Sequence, residues 1–253
     1  MKRTSIDINC DMGESYGRYQ LGNDEKMMSY ISSCNIACGF HGGDPLVINR
    51  TIEAALSHGV AIGAHPSYPD LQGFGRRSMK VPIEELKAIL TYQISALKGM
   101  TQLQGVRLYH IKPHGALYND IAKDHALSQM MIDIVNAFGE GIQLVGLANS
   151  VTAQLCQEQQ IPFKGEFFAD RQYENNGQLV SRSKADAVLK DPQAMAKRVL
   201  HYCQTGTVLS ISGESMTLSA ETICLHGDHD TAVENAQHIA LVLKNAAITI
   251  EQS

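Results

Sequence analysis

Short β-forming runs alternate with helical patterns from one end of this chain to the other, and nearly every run is followed at once by glycines and ionisable residues. After Ser5–Asn9 comes N-C-D-M-G-E, with Asn9, Asp11 and Glu14; after Cys34–Cys38 comes G-F-H-G-G-D, with His41. After Val60–Ala64 comes a longer stretch holding His65, Asp70, Arg76 and Arg77. K-P-H-G-A-L-Y-N follows Val106–Ile111 and carries Lys112, His114, Tyr118 and Asn119. E-F-F-A-D-R-Q-Y overlaps the end of Phe163–Phe168, with Glu166, Asp170, Arg171 and Tyr173, and H-G-D-H-D follows Thr222–Leu225, with His226 and Asp228. A βαβα order implies a parallel sheet with right-handed crossovers. A doubly wound sheet concentrates its site at one switch point, whereas a barrel gathers every strand C-terminus around one mouth. Polar motifs on so many strand ends favour the barrel.

The helical segments carry their own punctuation. Asn23 or Asp24 can cap a helix running to about Ser32, and Asp44-Pro45 starts one that stops at Gly59. Val81-Pro82 opens a long helix with Leu86, Ile89, Leu90, Ile94 and Leu97 at helical spacing. A helical stretch is expected from about Gly115 to Phe138, with Asn149 or Ser150 capping a short helix that ends near Gln157. Pro192–Tyr202 and Asp230–Ala246 read as helices, Ile142–Leu147 and Ile248–Ile250 as strands, and a small hairpin is expected before Thr222. No linker or repeat interrupts the pattern, so a single domain over 1–253 is expected.

Composition removes several functions. Hydrophobic residues make up 44% of the 253 and charged residues 19%, a balance that can bury a sizeable core. With 21 Lys+Arg against 26 Asp+Glu the net charge is −5, which argues against a nucleic-acid surface. No apolar run approaches the roughly 18 residues that cross a bilayer. The start has basic residues but no apolar segment behind them, so a cytoplasmic protein is expected. Six cysteines in a chain of this size read as small buried hydrophobes, with Cys10 and Cys38 left open because they border polar motifs. Neither a G-x-S-x-G elbow nor a P-loop occurs, which removes serine acyl transfer by that device and a self-contained P-loop ATPase.

The motif residues divide by chemistry. Asp11, Glu14, Glu166 and Asp170 can act as bases towards water, and His41, His65, His114 and His226 can move protons or bind a metal. Lys112, Arg76, Arg77 and Arg171 bring cations into an acidic protein and suit an anionic ligand; Asn9, Tyr118, His226 and Asp228 complete the expected binding residues. Asp11, Asp44 and Asp70 have a plainer reading as caps or turn residues, and for Asp44 capping is preferred. His58, His125, His201 and His238 fall in helical patterns and read as surface or packing residues.

The strings DINCDMGE at 7–14, NIACGFHGGDP at 35–45, GAHPSYPDLQGFGRR at 63–77, KPHGALYN at 112–119, EFFADRQY at 166–173 and CLHGD at 224–228 resemble the LamB/YcsF family. That resemblance implies an irregular (β/α) barrel of the glycoside hydrolase/deacetylase type. It implies opening of the lactam of 5-oxo-L-proline to L-glutamate, with 5-oxoprolinase subunits B and C as partners. ATP is then the cosubstrate of the complex, and magnesium the divalent metal accompanying it. In that account a cation holds the substrate carboxylate, while Asp11 or Glu14 activates water with His41, His65 or His114. Two other functions compete. One is a metal-dependent amide hydrolase or deacetylase using Asp11, His41 and His65 as ligands. The other is a non-catalytic small-molecule-binding subunit, disfavoured because binding pockets are usually more apolar.

Overall fold

In a computed structural model describing residues 3–139, 141–181, 184, 186–227 and 231–252, the strand-like runs become staves of a closed barrel. The strands are β1 (Ser5–Met12), β2 (Ser33–Ala37), β3 (Ala61–His65), β4 (His110–Ile111), β5 (Gln143–Leu147), β6 (Phe163–Phe168), β7 (Thr207–Leu209), β8 (Ser215–Thr217), β9 (Thr222–Leu225) and β10 (Thr249–Ile250). The helices are α1 (Asp24–Met27), α2 (Pro45–His58), α3 (Ile83–Leu103), α4 (Gly115–Ile121), α5 (His125–Phe138), α6 (Val151–Glu158), α7 (Pro192–Thr205) and α8 (Ala232–Asn245). Parallel pairing runs β1-β2-β3-β4-β5-β6-β9 and returns to β1, closing a ring of seven strands. β10 adds to the start of β1, and β7 with β8 forms the expected hairpin outside the ring. The barrel alternative is therefore the observed one.

Local chemistry sets the helix ends. Asp44 accepts from the Leu46 and Val47 amides at the start of α2, and Gly59 ends that helix at φ 67. Ser150 caps α6. The expected helix at 115–138 is two helices, because Asp124 turns outward to cap α5 through the Leu127 amide. The expected helix to Ser32 is one α-turn, capped by Asn23, followed by a 3-10 turn at Met28–Tyr30. Only His110–Ile111 of the expected strand at Val106–Ile111 enters the sheet. Leu86, Leu90, Ile94 and Leu97 point inward from α3, and Ile48, Ile52 and Ala55 from α2, all buried between helices and barrel. Each large aliphatic side chain so placed contributes about 1.5–3 kcal/mol.

The lumen is not an apolar plug. Asn9, Asn35, Gly63 and His110 fall on neighbouring staves, with Asn35 paired to Gly63 and Gly63 to His110. The absence of a side chain at Gly63 lets His110 reach across β3 to Asn35 Oδ1, at 2.6 Å. Burial, reinforced by nearby Lys164 and Lys112, lowers His110 to about 3 from an ordinary 6.5. The native ring stays neutral between those values while the unfolded chain takes up a proton, so stability falls as pH falls through that window. The expected slope from this residue is about 1.4 kcal/mol per pH unit. Denaturant titrations from neutral pH to pH 4 should show a shallower decline for His110→Gln than for the native chain.

Candidate active site

β1, β3, β4, β6 and β9 deliver residues at or beyond their C-terminal ends to one cavity of about 530 Å³. Its walls include Asp11, Glu14, His65, Arg76, Lys112, His114, Tyr118, Arg171 and His226. Residues more than two hundred positions apart thus meet at a single mouth.

At the floor, Lys112 is enclosed by acceptors. Its Nζ lies 2.9 Å from Asp11 Oδ1, 2.8 Å from Glu166 Oε1, 3.1 Å from Asn9 Oδ1 and 3.2 Å from Cys224 Sγ. Burial opposes its charge, but Asp11 and the other acidic neighbours outweigh burial and hold Lys112 well above its ordinary value. Burial likewise opposes ionisation of Asp11, but the neighbouring His65 and the Lys112 ammonium outweigh it, and its carboxyl sits well below the usual range. Asn9 donates to Glu166 Oε1 and Thr222 Oγ1, both at 2.8 Å, and Asn35 donates to Asn9 and Asp11. Asn9 and Glu166 therefore lie beneath the cavity and set the position of Lys112.

On the opposite wall, His65 Nε2 faces Asp11 Oδ2 at 3.3 Å and His114 Nδ1 at 3.0 Å. His114 Nδ1 also lies 3.4 Å from Glu14 Oε1, which His41 Nε2 approaches at 3.1 Å. The His41 ring stacks flat on His114, with centroids 3.7 Å apart and planes 5° from parallel. Burial pushes both His41 and His114 well below the ordinary histidine value. Glu14, His41, His65 and His114 each offer a ligand atom, all within 4.8 Å of one another. This nitrogen-rich donor set fits a metal, although the expected Asp11, His41 and His65 trio is not the set brought together.

Two backbone features shape that wall. Phe74 adopts φ 53, unusual for a residue with a side chain, and its carbonyl accepts from His114 Nε2 at 2.8 Å. Gly75, at φ 63, packs where a Cβ would lie 2.7 Å from His114 Cδ2 and 2.9 Å from His41 Cβ. At the rim, His226 Nδ1 and Asp170 Oδ2 form a 2.7 Å pair. The Tyr118 hydroxyl and Glu166 Oε2 are sealed from solvent without a well-formed hydrogen bond. Burial, then the Glu166 charge, pushes the Tyr118 phenol well above its ordinary value, so it remains a donor.

Among the expected site residues, Arg77 turns away: its side chain is 64% exposed and forks onto Asp70; Asn9, His41, Glu166 and Asp170 stand behind the cavity walls and not in them. Asp228 lies outside the described residues. Cys10 and Cys38 are buried thiols, the latter pushed by burial up to about 12, so neither is poised to react. The lumen also uses Asn35, His110, Thr222 and Cys224, which the motif analysis passed over. A polar residue inside an otherwise apolar parallel strand was the available signal at Asn35.

The LamB/YcsF family model matches residues 6–253. The chain belongs to the LamB/YcsF family. Within it, the chain is 45% identical to a Pyrococcus abyssi protein named as the A subunit of 5-oxoprolinase, over 97% of this chain and 96% of the relative. A Bordetella pertussis protein of the same name is 45% identical over 98% of both. The crystal structure of a lactam utilization protein from Thermus thermophilus superposes with a TM-score of 0.92 at 38% identity, covering 98% of this chain and 99% of that one. A family 4 carbohydrate esterase from Streptomyces lividans shares the fold alone, with a TM-score of 0.52 at 10% identity, covering 98% of this chain and 92% of that one. The deacetylase-type barrel expected of a LamB/YcsF member is thus the one observed.

Proposed function

We propose that this chain is the lactam-opening subunit of a 5-oxoprolinase, hydrolysing the cyclic amide of 5-oxo-L-proline to L-glutamate. The observation that carries this reading is the meeting of Asp11, Glu14, Lys112, His65, His114, Arg76, Arg171 and His226 in one cavity. 5-Oxoproline carries a single carboxylate, and Lys112 already answers Asp11 and Glu166, so the arginines that line the cavity, Arg76 and Arg171, are the cations offered to the substrate anion.

Water enters at the electron-rich wall formed by Asp11, Glu14, His65 and His114, gives up a proton there, and attacks the ring carbonyl carbon. Negative charge grows on the carbonyl oxygen as the carbon becomes tetrahedral. The positive field of Lys112, which lines the cavity, offsets that charge through space, its N–H groups being already directed at Asp11, Glu166, Asn9 and Cys224. Collapse of the intermediate breaks the ring C–N bond, and His226, oriented by Asp170, supplies the proton that the departing nitrogen needs. A metal at the histidine wall would supply Lewis acidity and lower the pKa of nearby water.

An unactivated lactam is a poor electrophile, so its oxygen is first phosphorylated by ATP with magnesium, in a cytoplasmic complex with subunits B and C; ring opening by the first water then leaves a glutamyl phosphate, and a second water releases glutamate and phosphate. No helix among the described residues is long and apolar enough to cross a membrane. We read the chain as one working domain over 1–253.

The test follows glutamate and phosphate release by this chain alone and with its two partner subunits. Turnover is expected only in the complex. Asp11→Asn should lower it about 10²–10⁴-fold while leaving the circular dichroism spectrum native. Near-normal glutamate release from folded Asp11→Asn sinks the role given to that wall.

A further inference from the structure

Two backbone carbonyls decide what the histidine wall can bind. A carbonyl only accepts, so the Lys112 carbonyl, 2.7 Å from His65 Nδ1, fixes that nitrogen as a donor. The Phe74 carbonyl fixes His114 Nε2 in the same way. In the neutral rings the lone pairs of His65 Nε2 and His114 Nδ1 then face each other across 3.0 Å, with Glu14 Oε1 3.4 Å from the second. Asp11 Oδ2 stands 3.3 Å from the first, while Asp11 Oδ1 is already taken by Lys112 and Asn35. Acceptors packed this closely repel one another unless a positive centre lies among them.

These separations match the edges of a coordination shell. Nitrogen and oxygen ligands at 2.0–2.1 Å around a tetrahedral ion stand about 3.3 Å apart. We infer that Glu14, His65 and His114 form a resident binding site for a borderline divalent cation of the zinc class, with Asp11 at its edge. His41 is a positioning residue: its ring lies flat against His114, so both lone pairs cannot aim at one ion, and its Nε2 steadies Glu14 instead. Outer partners that lock ligand tautomers in this manner are a recurring part of metal centres. All three ligands also line the cavity, which leaves the remaining coordination positions facing substrate and water. Two imidazoles among three ligands select against magnesium, which prefers oxygen throughout.

The inference concerns the occupant of the wall to which the lactam reading gives the water-activating role, and its test does not depend on turnover. The full chain, carrying no polyhistidine tag, is stripped with chelator, checked by circular dichroism, and titrated calorimetrically with zinc, cobalt and magnesium ions. One equivalent of zinc is expected to bind per chain, with a cobalt visible spectrum of low-coordinate form and negligible magnesium heat. Glu14→Gln, His65→Ala and His114→Ala should each weaken zinc by at least 10-fold, and His41→Phe should weaken it less. His58→Ala and His201→Ala, at histidines on outer helices, should leave it unchanged. A folded chain that takes up no zinc overturns the inference, as does zinc binding indifferent to His65 and His114, or magnesium bound more tightly than zinc. Zinc binding without glutamate release by the reconstituted complex would leave the site standing and remove the lactam reading alone.

Discussion

Replacing Lys112 with methionine should cost more than any other single change at the floor of the cavity. The substitution keeps length and removes charge, leaving Asp11 and Glu166 as buried carboxylates that face each other's field with no cation between them. Breaking a buried ion pair on one side typically costs about 3–5 kcal/mol. Chemical denaturation of Lys112→Met should show a loss in that range, with glutamate release by the complex lost as well. The double variant Lys112→Met/Glu166→Gln should recover part of the stability, because it withdraws one stranded charge, but none of the activity. If both variants are as stable as the native chain, the enclosure of Lys112 is not what holds the floor together.

The second large effect is expected at Gly63, in the middle of β3. A Cβ there would lie well inside van der Waals contact with Nε2, Cδ2 and Cε1 of His110. The ring cannot retreat without giving up its 2.6 Å bond to Asn35, which in turn holds Asn9 and Asp11. Gly63→Ala is therefore expected to lose about 3 kcal/mol or more by combining overpacking with an unsatisfied buried amide. Gly63→Ala/His110→Ala should be less damaged than the sum of the two single changes, a coupling that a thermodynamic cycle measures directly. Strict additivity would mean that the two residues do not share the space.

These two positions also show where sequence was informative. Strand–helix alternation and polar clusters at strand ends are local patterns, and they were enough to anticipate a barrel with Asp11, His65, Lys112 and His226 at one mouth. Asp44 announced itself as a cap, and the cap of α6 was narrowed to Asn149 or Ser150, because capping depends on residues only a few positions away. Gly63 and His110 did not, because neither has meaning until β3 and β4 lie side by side. Arg77 looked like its neighbour Arg76 in the string G-F-G-R-R, yet the turn at 70–77 sends one to the cavity and the other to Asp70. The break between α4 and α5 was legible but overlooked: Asp124 is a residue type that favours an N-cap over a helix interior. The histidine wall was legible as residue types, but its tautomers depend on two carbonyls, Phe74 and Lys112, that no side-chain motif records.

The unusual lumen also bears on how the chain finds its fold. Inward positions recur every second residue along each stave, so sliding one strand by a single step would turn Asp11, Asn35 or Lys112 out towards the greasy underside of the helices. An interior of interchangeable aliphatics would tolerate such a slip at modest expense. Here the donors at the floor find their acceptors on other strands, so a misaligned ring strands several charges at once. The polar column works as a combination lock for assembly: only one mutual alignment of β1, β2, β4, β6 and β9 lets it close.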